Sequence, residues 1–124
     1  LSMRKVKILM VEDSTTIRKI YKIIFKSNFY IYDEAANGLI ALNKIKNGKR
    51  YDIIFMDKEM PVMHGYEATI KIVKLTNTPI IGLTGNALIE HQNEFMKKGL
   101  KDILIKPVNI NDFIRCINRH VKLK

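Results

Sequence analysis

The chain has 124 residues, 47% hydrophobic and 27% charged with no low-complexity tract, which suits one core of ordinary size and excludes disorder. Its apolar runs fall far short of the ~20 residues of a membrane span and no signal-peptide pattern opens it, so a cytoplasmic location is expected. The 22 Lys+Arg against 12 Asp+Glu leave a net charge of +10, yet the basic residues are scattered, without interleaved aromatics or a helix-turn-helix signature, and read as solvated helix faces rather than a nucleic-acid surface.

Leu1 and Ser2, ahead of Met3, read as a cloning remnant, leaving residues 3–124 as a single domain. Lys5 to Val11 is an apolar strand ending in Glu12-Asp13. Ser14 suits an N-cap, and Ile17, Ile20, Tyr21 and Ile24 recur at helical spacing to about Lys26. Tyr30 to Ala35 reads as a weaker strand broken by Asn37-Gly38; Leu39, Leu42 and Ile45 mark a helix that stops near Asn47-Gly48, where a left-handed glycine fits.

Ile53 to Met56 is apolar without alternation, the pattern of a strand buried on both faces, and it stops at Asp57 before Pro61 turns the chain. A helix carrying Tyr66, Thr69, Ile70 and Val73 precedes a fourth strand, Pro79 to Leu83, which ends at Thr84. Leu88, Ile89, Phe95 and Met96 belong to a helix ending near Gly99; Asp102 to Ile105 is the fifth strand, closed by Lys106-Pro107. Ile110, Phe113, Ile114, Ile117 and Val121 form a last apolar stripe, in which Cys116, the one cysteine, reads as a packed residue rather than a reactive thiol.

Five strands alternating with five helices predict an α/β fold, a doubly wound five-stranded parallel sheet with helices on both faces. The strand ends of such a sheet share one edge beside the topological switch point, so Glu12, Asp13, Asp57, Thr84 and Lys106 are expected to converge. Three carboxylates together call for a compensating cation, and oxygen donors without His or Cys select Mg²⁺ or Mn²⁺. With a lysine and a hydroxyl beside them, the set suits phosphoryl transfer onto a carboxylate.

VEDS at 11–14, MDKEMPVMHG at 56–65, LTGNA at 83–87 and IKP at 105–107 resemble, in order, the motifs of the receiver domain of two-component response regulators, with a flavour similar to receivers of hybrid sensor histidine kinases. The resemblance implies a flavodoxin-like strand order 2-1-3-4-5 and a phosphoacceptor role in a two-component or phosphorelay system. It implies that Asp57 takes the phosphoryl group from a phosphohistidine and that Glu12, Asp13, Asp57 and the main-chain carbonyl of Glu59 hold Mg²⁺. Lys106 is implied to pair with a phosphoryl oxygen, Thr84 to act as the switch hydroxyl, and Lys106-Pro107 to be cis. The implied partner is a histidine kinase domain or a histidine-containing phosphotransfer protein; the isolated domain is then not an enzyme, and its parent chain can be a hybrid kinase.

Three positions depart from the family pattern. His64 replaces an expected acid and reads as a solvated loop residue, Ile103 stands where many receivers carry a switch aromatic, and Glu59 adds an acid near the acceptor. Glu59 and Asn86 occupy positions that tune phosphoryl lifetime in the family. His91 and His120 read as surface residues. A Mg²⁺-dependent phosphohydrolase with an Asp nucleophile is the enzyme alternative, but its DxDx[TV] pattern is provided neither by VEDS nor by DKEM; nucleic-acid binding by the basic surface is the third reading.

Overall fold

The structure, a computed structural model, describes residues 4–122; the reading of Leu1 and Ser2 as a remnant lies outside the described residues. The elements are β1 (Lys7–Val11), α1 (Thr15–Ser27), β2 (Ile31–Ala35), α2 (Gly38–Lys46), β3 (Ile53–Asp57), α3 (Gly65–Ile72), β4 (Ile80–Thr84), α4 (Ile89–Met96), β5 (Asp102–Ile105) and α5 (Ile110–His120). All strand pairs are parallel and the sheet order is β2-β1-β3-β4-β5, as expected from the alternation and the resemblance. The order reverses between β1 and β3, which puts the crevice of the sheet at their C-terminal ends.

Successive strand residues face opposite sides, and each side has its own core. Ile8, Met10, Ile53, Phe55, Ile81 and Leu83 are buried under α1 and α5, whose Tyr21, Phe25, Phe113, Cys116 and Ile117 cover them. Leu9, Val11, Ile54, Met56 and Ile80 are buried on the other side with Ala41 and Leu42 of α2, Ala68 and Ile72 of α3 and Phe95 of α4. This two-sided burial explains why β3 carries no polar residue before Asp57. Among the described residues no helix is long and apolar enough to cross a membrane.

Helix starts follow local chemistry. Ser14 Oγ accepts the Ile17 N–H at 3.2 Å, Asn37 Oδ1 that of Ile40 at 2.9 Å, and Asn109 Oδ1 that of Asp112 at 2.9 Å. Asn37, read from the sequence as a strand breaker, is thus the cap of α2, and Gly48 after that helix takes φ +88° as the C-terminal reading required.

The apolar stripes are wider than the buried faces. On α1, Tyr21 and Phe25 fill the seat on the sheet: the Phe25 ring lies 5.9 Å from Phe55 and 5.0 Å from Phe113. These large rings occupy the available width, so Ile17 and Ile20, assigned by periodicity to the same face, remain exposed. On α3 the buried residues are Gly65, Ala68, Thr69 and Ile72, while Ile70 and Val73 lie at its rim; at the start of α4 Leu88 and Ile89 are exposed and Phe95 carries the packing.

Candidate functional site

β1 and β3 flank the switch point, and each delivers a carboxylate there. The Glu12 N–H donates to the Ala35 carbonyl at 3.0 Å, continuing the ladder one residue past β1 and holding the side chain inside the crevice. Glu12 Oε2 accepts the Ser14 N–H at 3.0 Å, whereas Oε1 is buried with no hydrogen-bond partner. Asp57, the last residue of β3, is buried at 4% exposure, and Asp13 is exposed beside them. One oxygen from each of the three carboxyls lies within 4.8 Å of the others. Burial, reinforced by the Asp57 charge, pushes the Glu12 carboxyl up to about 7.

Lys106, directly after β5, answers this negative charge. Its N–H donates to the Thr84 carbonyl at 2.8 Å, and its Nζ donates to Asp57 Oδ1 at 2.9 Å while standing 3.8 Å from Glu12 Oε1. The Lys106-Pro107 peptide is cis, as expected. Thr84 is buried, and its Oγ1 accepts the Asn86 N–H at 3.1 Å; Asn86 Oδ1 in turn accepts the Leu88 N–H at 3.0 Å, which leads the loop into α4. All five strand-end residues thus arrive at one edge.

The remaining predicted residues sit farther out. The Glu59 carboxylate is 74% exposed, 3.4 Å from His64 Nε2 and 3.8 Å from Lys58 Nζ, so it lies on the rim rather than adding a fourth acid to the cluster. His64 is not merely solvated: its Nδ1 accepts the Tyr66 N–H at 3.1 Å and caps α3, the task an Asp performs at an N-cap. Ile103 pairs with Gly82 across β4 and β5 and packs, half-buried, against the core shared with Phe95. His91 is half-buried, and His120 is drawn onto Asp102 at 3.0 Å instead of projecting into solvent.

Sequence reasoning missed Arg18. From the first turn of α1 it donates to the Glu12 carbonyl at 2.7 Å and the Asp13 carbonyl at 3.1 Å, and its Nε pairs with Glu34 of β2 at 2.8 Å. The guanidinium therefore braces the acidic loop from behind. The available signal was its position four residues after Ser14, one helical turn above the loop.

The donor set fits a hard divalent cation: carboxylates only, with a buried oxygen that lacks a partner. Residues 8–118 match the response regulator receiver domain family. The chain is 35% identical over 130 residues to hybrid signal transduction histidine kinase B of Dictyostelium discoideum, covering 93% of this chain but 7% of that protein. Among solved structures it is similar to the receiver domain of the Pseudomonas aeruginosa sensor histidine kinase PA1611, determined with magnesium coordinated in the active site cleft (TM-score 0.86, 32% identity, 94% of this chain and 98% of that one). It is also similar to a chain in the co-crystal of the Saccharomyces cerevisiae histidine phosphotransfer protein Ypd1 with the receiver domain of Ssk1 (TM-score 0.87, 26% identity, 98% and 92%). With the sheet order, the converging strand ends and a family match running from β1 into α5, the chain belongs to the response regulator receiver domain family of two-component signalling.

Proposed function

We propose that Asp57 accepts a phosphoryl group from a phosphohistidine, with Mg²⁺ held by Glu12, Asp13, Asp57 and the main-chain carbonyl of Glu59. The observation that carries this reading is the pairing of a buried, partnerless Glu12 Oε1 with Lys106 Nζ on Asp57 Oδ1. An Asp57 oxygen attacks phosphorus, the donor's N–P bond breaks as the O–P bond forms, and the imidazole nitrogen keeps the electron pair. Lys106 orients the carboxylate before attack and offsets phosphoryl charge after it. When bound, the ion supplies the charge compensation that three clustered carboxylates and an incoming phosphoryl group require.

Thr84 Oγ1 already accepts a hydrogen bond, so its own hydrogen is free to donate to the phosphoryl oxygens and draw the Asn86 loop inward. Ile103, with no ring to swing, leaves that loop as the readout. The partner is a cytoplasmic histidine kinase domain or histidine-containing phosphotransfer protein. Exposed Ile17 and Ile20 support this: with Tyr21, Lys106, Pro107 and Val108 they line an open, mostly apolar cavity of about 400 Å³ next to the acceptor. As an isolated domain the chain acts once per phosphoryl group rather than turning over a substrate, and its parent can be a hybrid kinase.

Intact-mass measurement after incubation with acetyl phosphate and Mg²⁺ tests the reading. One phosphoryl group per chain is expected for the parent and none for Asp57→Asn; equal modification of both would overturn the assignment, and continued release of phosphate over many turnovers would favour the hydrolase.

A further inference from the structure

At the edge of the sheet opposite Asp57, the first residue of β5 meets the last turn of α5. Cys116 and His120 stand four apart on α5 and so share one face, and Asp102 opens β5 against that face. One donor atom from each of the three lies within 4.8 Å of the others. Nothing in the phosphoacceptor reading uses them.

We propose that Asp102, Cys116 and His120 form a second metal site, one for a zinc-type ion. A thiol, an imidazole and a carboxylate are the donors that select zinc over the hard cations suited to the acidic edge. Two of the three are already oriented: Asp102 Oδ1 accepts the Ile103 N–H at 2.8 Å, and Oδ2 lies 3.0 Å from His120 Nε2. An outer hydrogen bond of the first kind is what aims a carboxylate ligand. The His120 and Asp102 side chains are 17% and 27% exposed, so the cluster is open on one side for entry and for a water in the fourth position.

Bond lengths of ~2.0–2.3 Å in a tetrahedral site set donors ~3.5 Å apart, so the 3.0 Å contact between His120 Nε2 and Asp102 Oδ2 must open slightly, while donors as far apart as 4.8 Å must close in. His120 is the last residue of α5, where a helix end can adjust. Arg119 competes by donating to Asp102 Oδ2 at 3.0 Å, but its side chain is 66% exposed; the pair is weak and the guanidinium can turn to solvent. Burial holds the Cys116 thiol up at about 12, so binding breaks the S–H bond, forms the metal–sulfur bond and releases one proton to solvent.

Cobalt(II) titration of the chain carrying Asp57→Asn, which disables the acidic edge, tests the site. Cys116 is the only cysteine, so thiolate-to-cobalt charge-transfer absorption reports it alone. The expected result is a band saturating at one equivalent, displaced by zinc, lost in Cys116→Ser and requiring at least ~10-fold more cobalt in His120→Asn. A zinc-dependent rise in melting temperature, absent in His120→Asn, is the second readout and does not depend on the Cys116 variant folding. No band at saturating cobalt, unchanged affinity in His120→Asn, or a melting temperature indifferent to zinc would overturn the site and leave a hydrogen-bonded clasp.

Discussion

Glu12 is the residue whose chemistry depends most on where the fold puts it. In an unfolded chain it is an ordinary carboxylate; buried beside Asp57 its carboxyl rises from 4.5 to about 7. Between those values the folded chain holds a proton that the unfolded chain has released, so metal-free stability falls as pH rises through that window. A hard cation binds only the ionised carboxylate, so under the proposed function proton and Mg²⁺ would compete for Glu12. Calorimetric titration should show Mg²⁺ affinity falling roughly tenfold from pH 8 to pH 6, following the fraction of Glu12 ionised, while Glu12→Gln should bind more weakly with a flatter profile. Equal affinity of the parent at the two pH values would show that Glu12 is not a ligand. The convergence of these residues was legible because acids, hydroxyl and lysine each stand at a strand end. Arg18 was not, since its contacts are to the carbonyls of Glu12 and Asp13, and backbone acceptors leave no mark in a side-chain motif.

At the scale of elements, the junction of β3 with α3 decides how accurately Asp57 is held. The Gly65 N–H donates to the Lys58 carbonyl at 2.9 Å, closing the loop tightly on itself. A Cβ on Gly65 would collide with the Asp57 carbonyl and stand 2.9 Å from Lys58 Cα, both backbone atoms that cannot turn aside. Gly65→Ala should therefore cost ~1–3 kcal/mol by overpacking, read as a lower urea midpoint, and should slow phosphorylation of Asp57 because the strand end is what shifts. Full stability with a normal phosphorylation rate would mean that the loop is free to relax. Strand and helix count were readable from periodicity because β1, β3 and β4 are nearly continuous apolar runs, whereas the strand order came from the family resemblance and not from the pattern. The buried face of α1 was not, because periodicity weighs Ile17 and Ile20 equally with Tyr21 and Phe25, and only the aromatic packing of Phe25 on Phe55 and Phe113 decides which of them reach the sheet.

At the scale of the molecule, one end of the sheet gathers acid. Glu12, Asp13 and Asp57 occupy one edge with Lys106 as their counter-charge, so the surplus of the +10 chain lies elsewhere. Part of it frames the exposed apolar ridge of α1, where Lys19 and Lys22 flank Ile20. Under the proposed function such a ridge suits a phosphodonor protein with an acidic rim, and exposed charges steer encounter more than they hold the complex. The second-order rate of phosphotransfer from such a protein should therefore fall steeply between low and high salt, as the screening length shrinks from ~30 Å at 0.01 M to ~8 Å at 0.15 M. Lys22→Glu should lower that rate several-fold while leaving the reaction with acetyl phosphate unchanged, because the small donor reaches Asp57 without covering α1 and the half-buried Lys106–Asp57 pair is less screened than exposed charges. A protein-donor rate indifferent to salt and to Lys22 would place docking on another face and leave the basic surface as solvation alone.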